Sequence, residues 1–202
     1  MEKGFNEKVG VTSRFQLKQF GENSLGKDVL KEAVTLPEGE DINEWVACHV
    51  LDFYNHTNML YSSIAHSCNQ QSCPVMSAGS KYEYLWNDKN HPKSPIRMSA
   101  FDYITKLMFW INQQIENESY FPSKQGNLFR DDFISVIAPT IFRRLLRVYS
   151  HMYYHHLAEI SKYGLKTMLN TSFHHFVLFA TKFHLIEYNE FAPVREIIKN
   201  LL

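Results

Sequence analysis

Residues 141–156 read Ile141-Phe142-Arg143-Arg144-Leu145-Leu146-Arg147-Val148-Tyr149-Ser150-His151-Met152-Tyr153-Tyr154-His155-His156. Ile141, Leu145, Val148 and Met152 recur at the three-or-four spacing of one helical face, so the stretch predicts a helix with an apolar stripe turned inward. Arg143, Arg144 and Arg147 share another face, within an arc of roughly 100°. Guanidinium groups so placed can converge on one anion, and a phosphate, with acceptor oxygens for several forks, is the natural guest. The plainer reading is a solvated face paired with carboxylates such as Asp131, Asp132 or Glu159.

The same helix ends in His151, His155 and His156, and far upstream stands the Cys-x4-Cys pair Cys68-Asn69-Gln70-Gln71-Ser72-Cys73. Two thiolates and two imidazoles would close a tetrahedral zinc site with no position left for water, hence a structural one. In an unbroken helix His151 and His155 lie one turn apart on one face, whereas His151 and His156 differ by about 140°, so geometry favours His155 as the partner. His66 is a further candidate ligand. The alternative without metal has the cysteines buried as small apolar residues and the histidines lining the helix. Cys48 reads as core of an earlier helix.

Outward from this segment, Phe133, Val136 and Ile137 predict the start of a helix that Pro139 must kink or stop. Leu36-Pro37-Glu38-Gly39-Glu40-Asp41 makes a turn whose acids suit a helix N-terminus. From Ile42, apolar residues at Trp45, Val46, Val50, Phe53, Thr57, Leu60, Tyr61 and Ile64 predict a long amphipathic helix. Lys81 to Trp86 alternates and is rich in aromatics, which predicts a hairpin with Pro95 to Met98. Phe101, Ile104, Leu107, Met108, Ile111 and Ile115 predict another helix. Phe173, Phe176, Val177, Ala180 and Phe183 predict one capped at Thr171 or Ser172, and Val194, Ile197, Ile198 and Leu201 a short last one. Residues 1–35 have the composition of a weakly ordered arm with room for a short helix around 27–34, and residues 36–202 form one helical domain. The expected fold is all-α, a multi-helix bundle with a small β-hairpin and a structural metal site.

Composition narrows the function. The chain has 202 residues, 45% hydrophobic, with 21 basic and 21 acidic residues, so no net field draws it to nucleic acid or an anionic membrane. No apolar run reaches the roughly 20 residues of a membrane span, and the first residues lack a signal-peptide core, which predicts a cytoplasmic or nuclear protein. Three cysteines, an odd set, argue against a disulfide framework. A zinc hydrolase would need an open coordination position and a nearby carboxylate base, and the chain has no His-Glu-x-x-His.

Several strings resemble the Mob (Mps one binder) kinase-activator family, most closely its Hippo and mitotic-exit members, from about Leu25 to the C-terminus. They are Leu-Pro-Glu-Gly-Glu-Asp-Ile-Asn-Glu-Trp (36–45), Asn-Met-Leu-Tyr (58–61), Ser-Cys-Pro-Val-Met-Ser-Ala-Gly (72–79), Lys-Tyr-Glu-Tyr (81–84), Phe-Pro-Ser-Lys (121–124), Arg-Arg-Leu-Leu-Arg-Val-Tyr (143–149) and Leu-Asn-Thr-Ser-Phe (169–173). By motif position the resemblance implies zinc on Cys68, Cys73, His151 and His156, overruling the geometric preference for His155. It implies a phosphopeptide pocket at Arg143, Arg144 and Arg147 for a phosphorylated segment of a Hippo-class upstream kinase or scaffold, the first of these often being lysine elsewhere in the family. It implies docking of the basic segment of an NDR/LATS-type AGC kinase on Glu40, Glu44, Trp45 and Asp52, although helix N-terminal stabilisation explains Glu40 and Glu44 as well. Ser24 stands where a regulatory phosphorylated threonine would be. The implied function is a non-catalytic adaptor and co-activator, with a phocein-like scaffold of vesicle traffic or phosphatase complexes as the alternative.

Overall fold

The structure, a computed structural model, describes residues 27–87, 94–124 and 127–201. Ser24 and most of the expected arm lie outside the described residues. In order come α1 (Lys27–Ala33), α2 (Ile42–Ile64), β1 (Ser77–Ala78), β2 (Tyr82–Glu83), α3 (Ala100–Ile115), a π-turn (Phe133–Ile137), α4 (Ala138–His155), α5 (Leu157–Lys162), α6 (Lys166–Lys182), a 3-10 segment (Tyr188–Val194) and α7 (Arg195–Leu201).

The Pro-Glu-Gly turn forms as expected. Gly39 takes φ +86°, a conformation that costs glycine little, and the Glu40 N–H donates to the Pro37 carbonyl at 3.2 Å. Asp41 then caps α2, its carboxylate accepting from the N–H groups of Asn43 at 2.8 Å and Glu44 at 3.2 Å. The face read from the sequence goes inward, with Val46, Val50, Phe53, Thr57, Leu60, Tyr61 and Ile64 buried.

Helix α4 is the hub, packed against α2, α3, the π-turn, β1, α5 and the 3-10 segment. Pro139 neither kinks nor stops it. The N–H groups of Val136 and Ile137 both donate to the Asp132 carbonyl, one at α-helical and one at π-helical spacing, and Pro139 then falls in the first turn of α4, where its missing donor has no partner to lose. Aromatic rings from three helices meet around the hub, Phe53 lying 5.6 Å from Phe142 and 5.3 Å from Phe176 in edge contacts.

Four readings are corrected here. Residues 82–83 pair antiparallel with 77–78, and only the bridge Trp86–Ile96 survives of the expected hairpin, because Met76 inserts between Tyr84 and Met98 by backbone hydrogen bonds. Helix α6 begins at Lys166, so Thr171 and Ser172 are inside it, and the Ser172 hydroxyl bonds the buried Tyr149 hydroxyl at 2.7 Å. Cys48 is exposed on α2. Finally, α1 lies in the stretch given to the arm, yet it packs on α6 and buries Leu30 and Val34.

Where α2 meets α6, His175 lies 4.9 Å from Phe53 and 5.6 Å from His49, which stacks on Phe179 at 4.0 Å. Burial, then the neighbouring His49 and His56, push His175 down to about 4, against the attraction of Asp52; His174 adds a small push in the same direction. The folded state therefore prefers the neutral ring while the unfolded chain takes up a proton near pH 6.5. This contribution to stability is fully present above about pH 6.5 and is lost as pH falls toward about 4. The thermal midpoint of wild type should fall more steeply over that window than that of His175→Phe, and parallel curves would remove His175 from the account.

Candidate metal centre and arginine wall

Helix α2 delivers Cys68 just past its end, a turn held by Asn69 and Ser72 brings Cys73 beside it, and α4 supplies the histidines. Asn69 Oδ1 accepts from the N–H groups of Gln71 and Ser72, and the Cys73 N–H donates to the Asn69 carbonyl at 2.8 Å. Cys68 Sγ lies 3.5 Å from His151 Nε2 and Cys73 Sγ lies 3.4 Å from His156 Nε2. The four donor atoms all fall within 4.8 Å of one another and all four residues are buried. Bond lengths of about 2.3 Å to sulfur and about 2.0 Å to nitrogen on a tetrahedral ion would set sulfur and nitrogen about 3.5 Å apart. The donor set is compatible with zinc on that measure.

His156 enters the group because the helix ends there. Its backbone leaves helical values, at φ −128° and ψ 18°, so the 140° offset of an unbroken helix does not apply and the ring swings toward Cys73. His155, the choice of periodicity, instead places Nε2 3.1 Å from the Ser77 hydroxyl. His151 Nδ1 donates to the Ser77 carbonyl at 2.9 Å, which fixes the tautomer and leaves Nε2 as a lone pair aimed at the thiols. Hydrogen bonding from Cys68 holds the Cys73 thiol well below the ordinary cysteine range, with His151 and His156 adding to this against burial; the same bond and burial push Cys68 up. His66 is outside the cluster, exposed, with its Nε2 3.1 Å from the Tyr163 hydroxyl.

The arginines of α4 are half-buried and meet an aromatic wall. The Arg144 guanidinium carbon lies 4.5 Å from the Trp86 ring centre and 4.4 Å from that of Trp110, and Nη2 donates to the Asn87 carbonyl at 2.7 Å. Arg147 Nη1 donates to the Tyr103 hydroxyl at 2.8 Å beneath the Tyr84 ring, while its Nε is buried with no hydrogen-bond partner among the described residues. Trp86 and Tyr103 touch edge to face at 5.4 Å, so Arg144 and Arg147 stand on one continuous surface. Arg143 reaches back to Pro139 and Thr140 of its own first turn. The periodicity of α4 finds the arginines but not Trp86, Tyr103 and Trp110; the alternation of Tyr82, Tyr84 and Trp86 is the one signal that could have pointed there.

Helix α2 presents acids: Glu44 and Asp52 lie about 80° apart around its axis, and Glu40 stands just before its N-cap, all three exposed. Partial burial, then Glu44, Asp52 and Glu40, push the Cys48 thiol up. Trp45 is half-buried on the same helix, 4.4 Å from His49, with its indole N–H buried and lacking a hydrogen-bond partner among the described residues. No described helix is long and apolar enough to cross a membrane.

The model of the Mob1/phocein family matches residues 22–194. The chain is 46% identical over 191 residues to a Dictyostelium discoideum protein named MOB kinase activator-like 1 homolog A, covering 95% of this chain and 89% of that one. It is 48% identical over 193 residues to the DBF2 kinase activator protein MOB1 of Saccharomyces cerevisiae, covering 95% and 61%. Maintenance of ploidy protein mob1 of Schizosaccharomyces pombe is 43% identical over 191 residues, covering 95% and 90%.

Proposed function

Because this chain belongs to the Mob1/phocein family, we propose that it is a non-catalytic co-activator that joins an NDR/LATS-type AGC kinase to a phosphorylated upstream partner of Hippo or mitotic-exit type signalling. The observation that carries the kinase half is that Glu44 and Asp52 share one exposed face of α2 with half-buried Trp45, Glu40 standing just before the helix. A basic kinase segment would be steered by these carboxylates and anchored on the indole. The names of the relatives, as kinase activators, support the same reading.

The wall of Arg144 and Arg147, with Arg143 at its margin, receives the phosphoryl group of the upstream partner. Cys68, Cys73, His151 and His156 hold a zinc ion that ties the segment after α2 to the end of α4; with four protein donors the ion has no open position for substrate water, which favours a structural over a hydrolytic role. Phosphorylation of Ser24 regulates access to the acidic face. The protein works in the cytoplasm and nucleus, where a reducing milieu keeps the two buried thiols available to metal.

Calorimetric titration with the recombinant N-terminal segment of an NDR/LATS-class kinase tests the reading. Asp52→Lys should weaken binding by about tenfold or more and flatten its salt dependence, while Glu159→Lys, on α5, leaves both unchanged. Equal affinity of wild type and Asp52→Lys would remove α2 as the docking face.

A further inference from the structure

The turn of the hairpin and the start of α7 enclose a cleft of about 440 Å3, walled by Ser80, Lys81, Tyr82, Tyr154, Arg195 and Glu196 among others. On the other side of Arg195 opens an apolar cleft of about 590 Å3 between α6 and α7, with Val177, Ile186, Phe191 and Ile198 in its walls. Arg195 lines both. Its guanidinium carbon lies 4.8 Å from the Tyr188 ring centre and its Nε is buried with no hydrogen-bond partner among the described residues.

The charges of the first cleft do not balance internally. Among the described residues neither Lys81 nor Arg195 forms a salt bridge, while Glu196, the one acid in the lining, is bound to Lys199 at 3.1 Å. The Tyr154 hydroxyl is committed to the Pro193 carbonyl at 2.7 Å. A buried guanidinium donor without an acceptor is costly, and its planar fork suits a carboxylate. With Glu196 paired to Lys199, Lys81 and Arg195 leave two positive charges for an anionic side chain to meet. The apolar cleft next door can take a side chain from the same ligand, which points to a peptide rather than a free ion.

We propose that this pair of clefts binds an extended acidic segment of a partner protein, with an Asp or Glu carboxylate between Lys81 and Arg195 and a neighbouring apolar side chain in the cleft beyond Arg195. The site is separate from the arginine wall: Tyr154 stands two helical turns beyond Arg147, about 10 Å along α4.

The test is fluorescence anisotropy of the full chain with a labelled peptide of alternating Glu and Leu, its Gln/Leu counterpart, and a version carrying phosphoserine for Glu. The Glu/Leu peptide should bind saturably, at least about tenfold more tightly than the Gln/Leu peptide, and Arg195→Gln should remove that difference. Lys81→Gln, on an exposed turn that leaves the core intact, should weaken binding by about threefold or more, and Arg147→Gln should leave it unchanged. Absence of saturable binding, equal affinity of the Glu and Gln peptides, or a loss caused by Arg147→Gln and not by Arg195→Gln would overturn the proposal. Tighter binding of the phosphoserine peptide, lost in Arg195→Gln, would overturn its assignment to a carboxylate.

Discussion

Replacing Cys73 with serine is expected to abolish zinc binding and to lower the thermal midpoint by on the order of 10 °C or more. The sulfur at this position lies 3.4 Å from His156 Nε2 within the four-donor cluster, and a serine hydroxyl offers neither the charge of a thiolate nor its softness toward zinc. Losing the ion leaves buried imidazoles and a thiol facing one another, each costing about 1–3 kcal/mol when unsatisfied. A chain of this size loses roughly 2–4 °C per kcal/mol. Metal analysis of the purified protein and scanning calorimetry read the two effects separately. Cys48→Ser, at an exposed position, is the control and should match wild type. His156→Ala should lose the ion, whereas His155→Ala, which removes a contact to Ser77 and the stacking on His151 at 4.7 Å but no donor of the cluster, should keep it. A Cys73→Ser protein that melts within about 2 °C of wild type would end the stapling role, as would a wild-type chain that binds no zinc.

Charge reversal by Arg144→Glu is expected to weaken binding of a phosphothreonine peptide by about a hundredfold or more, leaving the unphosphorylated peptide unaffected. A charge-assisted hydrogen bond contributes about 1.5–3 kcal/mol, and a carboxylate at the same place repels the phosphate as well. Trp86 and Trp110 hold this guanidinium at 4.5 and 4.4 Å, so it meets the ligand already oriented. Near-ultraviolet circular dichroism, sensitive to both indoles, checks that the wall itself survives. Arg143→Gln should weaken binding less than Arg147→Gln, since Arg143 is engaged with the first turn of α4. Equal affinity of wild type for the phosphorylated and plain peptides would remove the arginine wall from the function.

What could be read from the chain divides along physical lines. The inward face of α2, the Pro37–Gly39 turn and the extent of α3 are local matters of periodicity and turn chemistry, and the structure follows them. Pro139 was misread because its effect depends on register: the π-turn before it moves the proline into a first turn, and no local pattern announces that shift. Which histidine joins the cysteines depends on where α4 stops: periodicity presumes an unbroken helix through His156, and the break there brings His156 rather than His155 beside Cys68, Cys73 and His151. The aromatic partners of Arg144 and Arg147 come from the hairpin and α3, contacts between distant segments that a single sequence leaves unmarked.

The arginines and the imidazoles ride on one rod, spaced along it in fixed steps of about 1.5 Å and 100°. A residue inserted anywhere from 148 to 150 would turn one set relative to the other, so that only one of them could keep its neighbours. Engineered variants or natural insertions that change the length of this short interval would part the arginine wall from the cysteine and histidine group without touching a residue of either.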